Sequence, residues 1–354
     1  MFETFGFETL TAPQAALWFA LALGLVFGAL AQVTRFCLRR ALVGSDRRAA
    51  GAVWLTALVV AVAGTQAAAA MGWISFADHR FMASELPILA IAAGGLLFGV
   101  GMVLTRGCVS RLTVLSGSGN LRALMVLVVF AIAAHATLKG VLAPVRTTLG
   151  SITVPLGEAT ALPGSPWLWA GLLALVTLTI AHRAGAGRGM LALAAMIGAL
   201  VPLAWVGTGF VLYDDFDPIA MESLSFTAPS ADAMFWLLAS TSIPAGFGTG
   251  LIGGVLGGAF LAAMARGEFQ WQSFESPRQT GRYMSGAVLM GVGGVLAGGC
   301  TVGAGLSGVP TLSVAAILAL VAIAAGALAA RAVLSGSARG FGGSTTTPAA
   351  QPAE

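Results

Sequence analysis

Long apolar stretches separated by short polar ones dominate the chain. They occupy about 13–34, 52–73, 86–104, 123–142, 166–182, 189–206, 233–264, 283–299 and 312–334. A helix rises 1.5 Å per residue, so about 20 apolar residues cross the hydrocarbon core of a bilayer. All but one of the runs fit a single crossing. The run 233–264 is too long for one, and Pro244, Gly246, Gly248 and Gly250 interrupt it, which predicts a broken or re-entrant segment with its break near Pro244 to Gly250. The pattern predicts an all-α, polytopic membrane protein with about nine transmembrane helices plus short re-entrant helices. One membrane domain is expected over 1–334, with pseudo-repeats at about 13–142 and 233–334. Residues 335–354 lack apolar periodicity and read as a disordered tail.

The polar punctuation carries the orientation. Arg39, Arg40, Arg47 and Arg48 follow the first run; Arg106, Arg111 and Arg122 follow the third; Arg183 and Arg188 follow the fifth. Arg266, Arg278, Arg282, Arg331 and Arg339 fall on the same side if each run crosses once. The other side collects Asp78, Glu85, Glu158, Asp214, Asp215, Asp217, Glu222 and Asp232, with only Arg80, Lys139 and Arg146 as bases. Basic loops stay in the cytoplasm. The expected topology therefore has a periplasmic N-terminus, a cytoplasmic C-terminus and a bacterial inner-membrane location. Glu3 and Glu8 stand where a cleavable signal peptide would carry bases, so none is expected.

Composition agrees with the pattern. Hydrophobic residues make up 57% of the chain and charged residues 9%, against about 25% charged in a soluble domain; mean hydropathy is +0.90. The net charge of +4 marks topology here, and no nucleic-acid partner is expected. Glycine, at 48 residues, is roughly twice its usual share of about 7%, as close helix packing and helix breaks within a bilayer require.

Three segments align without gaps: Gly28-ALAQVTRF-Cys37, Gly99-VGMVLTRG-Cys108 and Gly291-VGGVLAGG-Cys300. They contain all 3 cysteines. A weaker fourth copy begins at Gly250 and aligns Ala263 with the cysteine. A cysteine in a membrane protein is most often a small buried hydrophobe, but that reading predicts scattered positions rather than one repeated slot. Three soft thiols at helix breaks point to a binding device. Because the third segment runs opposite to the second, the halves are expected to be inverted, with their sites meeting near the midplane.

The first two copies read R-x-C-x-x-R: Arg35-Phe-Cys37-Leu-Arg-Arg40 and Arg106-Gly-Cys108-Val-Ser-Arg111. Guanidinium beside a thiol would concentrate an anion; it would equally serve as a topology signal that snorkels to the interface. Both readings of Arg35, Arg106 and Arg111 stay open. In the third copy Thr301 and glycine-freed backbone N–H groups would be the anion donors beside Cys300. No metal and no cofactor is expected: there is no C-x-x-C pair, and His79, His135 and His182 stand in no ligand spacing with the cysteines. His135 and Lys139 share a helix face, and Lys139 is expected to snorkel. No GxxxxGK[ST] motif is present, so the chain itself is not expected to hydrolyse ATP.

The motifs RFCLRRAL, GVGMVLTRGCVSRLTVLSGSGNLRAL and LAGGCTVGAGLSG resemble those of the YeeE/YedE family of bacterial thiosulfate transporters, over about residues 20–330. The segment GFGTGLIGGVLGGAFLAAMARGEFQW is similar to the family's glycine-rich fourth element. The resemblance implies an hourglass of pseudo-symmetric halves whose constriction is lined by Cys37, Cys108 and Cys300, with thiosulfate passed between thiols by S–H hydrogen bonds. It implies uptake of thiosulfate or a closely related sulfur anion and a small cytosolic TusA-like sulfurtransferase as partner. The chain is then a transporter and not an enzyme. The alternative is a membrane sulfur-transfer or redox protein carrying a covalent persulfide on its cysteines. Stretches 143–165 and 213–226 lie outside the recognised motifs. Among the thiols, Cys108 is expected to matter most and Cys37, nearest the cytoplasmic mouth, least.

Overall fold

A computed structural model describes residues 11–340, apart from Glu158, Asp215 and Phe216. The helices are α1 (Ala12–Thr34), α2 (Leu38–Val43), α3 (Arg47–Ala70), α4 (Ile88–Leu104), α5 (Val109–Gly117), α6 (Leu121–Lys139), α7 (Ala143–Gly150), α8 (Pro166–Ala184), α9 (Arg188–Val206), α10 (Thr227–Ala239), α11 (Phe247–Ala265), α12 (Pro277–Leu296) and α13 (Val314–Gly340). Among the described residues 9 helical stretches are long and apolar enough to cross a membrane. The fold is all-α and polytopic. Its only strands among those residues, β1 (Glu85–Leu86) and β2 (Val154–Pro155), are two residues each and pair antiparallel between the connection before α4 and the one after α7.

Several helices start where the sequence supplies a cap. Asn120 accepts a hydrogen bond from the Ala123 N–H (3.0 Å) at the start of α6. Ser276 accepts one from Gln279 (3.3 Å) at the start of α12, with Pro277 in the first turn. The long run 233–264 is broken: α10 ends at Ala239 and α11 starts at Phe247 after Gly246. At the other extreme, α13 continues past 334 to Gly340, so the expected tail boundary falls inside a helix; residues 341–354 lie outside the described residues.

Glycine sets which helices touch. A Cβ on Gly24 or Gly28 of α1 would strike the carbonyls of Leu251 and Val255, and one on Gly250, Gly254 or Gly258 of α11 would strike those of Leu17, Leu21 and Leu25. Residue pairs rise together along the two helices, so α1 and α11 run parallel with backbones in contact. On α4, Gly94 and Gly101 meet the Gly293 and Gly286 regions of α12, which therefore runs antiparallel, while Gly95 and Gly99 meet α13 near Ala322 and Ile323 in parallel. Leu172, Leu175 and Leu178 of α8 point outward, as lipid-facing side chains do.

These directions gather the ends of α1, α4, α8 and α11 and the starts of α3, α6, α9 and α12 at one basic end. The described acids Asp78, Glu85, Asp214, Asp217, Glu222 and Asp232 belong to the opposite end, called the acidic end below. There the stretch 143–165 forms α7 and β2 and is tied to the start of α13 by Leu162 N–H to Leu312 O (2.9 Å) and Val314 N–H to Thr160 O (3.0 Å).

Candidate functional site

Each cysteine sits in the same local structure. A long helix stops, the residue two before the cysteine turns left-handed, and the cysteine, in extended conformation, becomes the residue from which a short helix starts. The left-handed residues are Arg35 (φ 52°), Arg106 (φ 59°) and Gly298 (φ 74°); the short helices are α2, α5 and the π-helical segment Thr301–Gly308. Left-handed backbone costs a residue with a Cβ about 1–2 kcal/mol, so two arginines are held there against local preference. The fourth copy is corrected by the structure. In α11 the left-handed residue is Gly267, which gives the cysteine slot to Phe269, while Ala263 lies inside the helix. The alignment on glycines had matched the packing stripe instead of the helix end.

At the basic end two copies meet. Cys37 Sγ lies 3.6 Å from Cys108 Sγ, and Cys108 Sγ lies 3.2 Å from Ser110 Oγ. Cys37 is 7% exposed and Cys108 1%, so both thiols of the pair are buried. Arg111 donates to the Ala31 carbonyl (3.4 Å) and to Gln32 Oε1 (3.5 Å), which holds its charge within electrostatic reach of both thiols. Arg40 is neutralised in an ion pair with Asp46 and also donates to the Thr34 carbonyl (3.3 Å). That arginine's hydrogen bonds hold the Asp46 carboxyl below the usual carboxylate range. Arg35 and Arg106 are exposed. Of the arginines expected beside the thiols, Arg111 is in place, Arg35 lies near it, and Arg106 points to the surface.

Cys300 stands apart from that pair. Its Sγ accepts the Gly303 N–H at 3.3 Å, it is fully buried, and Thr301 Oγ1 beside it is buried with no hydrogen-bond partner among the described residues. Above it a cavity of about 870 Å³ opens at the acidic end, lined among others by His79, Arg80, Trp205, Glu222, Ser225, Gly303 and Ser307. Arg80 lies 5.1 Å over the Phe81 ring and within electrostatic reach of both Cys300 and Glu222. Enclosure by protein holds the Arg80 guanidinium below its usual pKa and, with Arg80 adjacent, drops His79 to about 4. It raises Glu222 to about 6, although the side chain is exposed to the cavity.

A buried aromatic row joins the two ends. Phe36, next to Cys37, lies 6.3 Å from Phe27, which lies 5.4 Å from Phe226 at the start of α10. Leu224, two residues earlier, accepts a hydrogen bond from Ser307 (2.7 Å) of the Cys300 segment. All three thiols and these rings belong to one contiguous buried core.

Sequence reasoning missed Ser110, Arg80, Glu222 and Ser225. The signal for Ser110 was present, since it lies two residues past Cys108. Arg80 was one of only three bases on the acidic side, and nothing local tied it to Cys300. His135 stacks on Phe235 (4.7 Å) and, with Lys139, faces Asp232.

Comparison with known proteins gives this arrangement relatives. The chain is 25% identical over 314 residues to the thiosulfate transporter TsuA of Escherichia coli K12, covering 80% of this chain and 84% of that one. It is 27% identical over 240 residues to the thiosulfate transporter TsuA of Spirochaeta thermophila, covering 64% and 72%. The family pattern for sulphur transport matches residues 33–329, which include all three cysteines. The chain belongs to the sulphur transport family, the YeeE/YedE proteins.

Proposed function

We propose that this protein takes thiosulfate up across the bacterial inner membrane, from the acidic-end cavity past Cys300 to the Cys37–Cys108 pair and out at the basic end. The observation that carries this reading is the 3.6 Å contact between Cys37 and Cys108, 71 residues apart, in the same buried core as Cys300. A packing role would not bring cysteines from two repeat copies into contact. That both relatives are thiosulfate transporters supports the substrate. The crowding of arginines at one end supports a periplasmic N-terminus and a cytoplasmic basic end, and the antiparallel contact of α4 with α12 supports inverted halves around an hourglass waist.

The chemistry suits the cargo. A thiol donates and accepts weakly, so it can hand a dianion onward without trapping it. Arg111 offsets charge near the pair without sitting between the sulfurs. At the basic end a small TusA-like sulfurtransferase would receive the ion.

The test is growth and uptake with thiosulfate as sole sulfur source in a strain without other importers. Cys108→Ala removes the thiol that touches both Cys37 and Ser110. It is expected to leave the protein in the membrane, at a stability cost of about 1 kcal/mol, and to lower uptake at least about tenfold. Ordinary uptake in a well-expressed variant would return the cysteines to packing. The thiol pair is also what a persulfide-carrying protein would need; a sulfur adduct on Cys37 or Cys108, found by mass spectrometry after turnover, would establish that reading in its place.

A further inference from the structure

The cavity above Cys300 contains a group that an anion pathway has no evident use for. Glu222 lines it together with Arg80, whose charge reaches both Glu222 and Cys300. A fixed negative charge on the cavity wall repels an incoming dianion at short range. Glu222 is exposed to this cavity and shares its wall with Arg80, Gly303 and Ser307, the last two belonging to the segment that follows Cys300.

We propose that Glu222 is a proton-operated gate on the uptake path: charged, it turns the dianion back and occupies Arg80; with a proton bound, it releases Arg80 to the anion and lets it reach Cys300. The proposal rests on the thiosulfate reading above and adds to it a dependence on the proton concentration of the cavity side. Only the proton moves on and off the carboxyl; no bond to sulfur forms or breaks.

The surroundings of Glu222 support this. From the 80–82 turn it faces Arg80, from the loop before it His79 and Asp78, from α10 Asp232, and from the stretch after α9 Tyr213. Its backbone is fixed, with the Glu222 N–H donating to Thr208 Oγ1 (2.9 Å) and Thr208 Oγ1 donating to the Glu222 carbonyl (2.8 Å). Enclosure and the neighbouring Asp232 raise its pKa to about 6, and Arg80 opposes them. Asp232 is itself raised by burial, with Lys139 and His135 opposing, so the two carboxyls resist being charged together. His79 charges only near pH 4, below the range in which Glu222 changes state, and thiosulfate stays a dianion throughout.

The experiment uses the full-length protein in liposomes, with interior pH and membrane potential clamped and radiolabelled thiosulfate outside. From a pKa of about 6, the neutral fraction grows from about one in eleven at pH 7 to about ten in eleven at pH 5. Wild-type initial uptake should therefore rise about tenfold as the outer pH falls over that range. Glu222→Gln should be fast and flat with pH, Glu222→Asp should keep the rise, and Asp232→Asn should move its midpoint to lower pH. Wild-type uptake that is flat, or a Glu222→Gln profile like wild type, overturns the gate and leaves the thiosulfate reading standing. No uptake at any pH overturns both. The wild-type profile decides the question even if a variant fails to fold.

Discussion

At the basic end of the proposed path two thiols share one contact, and the guanidinium beside them is tied to a carbonyl and an amide oxygen. At the acidic end a single thiol lies under a cavity of about 870 Å³ that mixes Arg80 with Glu222. Both ends use the same helix–turn–cysteine unit, so the difference lies in what was built around it. One end holds a permanent charge in a fixed place; the other holds charges that a proton can rebalance. A repeated backbone can thus carry two electrostatic solutions.

The largest expected difference between the ends is in redundancy. Cys300→Ala leaves no second thiol at its end and should lower uptake tenfold or more, a barrier change of about 1.4 kcal/mol. Cys37→Ala leaves Cys108 and Ser110 as donors and should cost only a few-fold. Equal losses in initial-rate measurements would erase the distinction.

Next in size is the charge itself. Arg111→Gln should raise the half-saturating thiosulfate concentration several-fold, and so should Arg80→Gln to a smaller degree, because Glu222 already offsets Arg80. Exposed charges are screened by salt and enclosed ones less so. The Arg80 effect should accordingly shrink between low salt and 0.5 M salt while the Arg111 effect persists, and the reverse order would show that the basic end is the open one.

The smallest effect concerns the backbone unit common to both ends. Arg106→Gly removes left-handed strain of about 1–2 kcal/mol but adds chain entropy of about 0.5–1 kcal/mol. Stability should rise by no more than about 1.5 kcal/mol, with uptake near normal because Arg106 is exposed. Gly298→Ala meets no atom within 4 Å, so its cost should be the backbone term alone. Thermal unfolding in detergent checks both. A large uptake loss in Arg106→Gly would mean that this arginine contacts the ion.

The sequence was most informative where a regular pattern met a hard physical limit. Bilayer thickness made the spans legible, and arginine placement separated the two ends. The Gly-x8-Cys slot singled out the thiols because no packing rule demands that spacing. What stayed hidden depended on distance in space. The Cys37–Cys108 contact joins segments 71 residues apart, and Arg80, whose charge reaches Cys300, comes from the connection before α4. Stretch 213–226 matched no motif, yet it supplies Glu222 and Ser225 to the cavity. The glycine alignment of the fourth copy failed for a related reason: a packing stripe and a helix stop use the same residue.

The seam of glycines between α1 and α11 has a mechanical consequence. Carbonyls of one helix sit where a Cβ of the other would be, so the pair has no side-chain layer to shear or compress. Sliding one helix by a residue would bring leucine and valine against backbone, an all-or-nothing change rather than a gradual one. A bundle welded in this way favours throughput by small side-chain movements at the waist over rocking of whole halves. Its flux should then have the shallow temperature dependence of a pore, not the steep one of a carrier cycle.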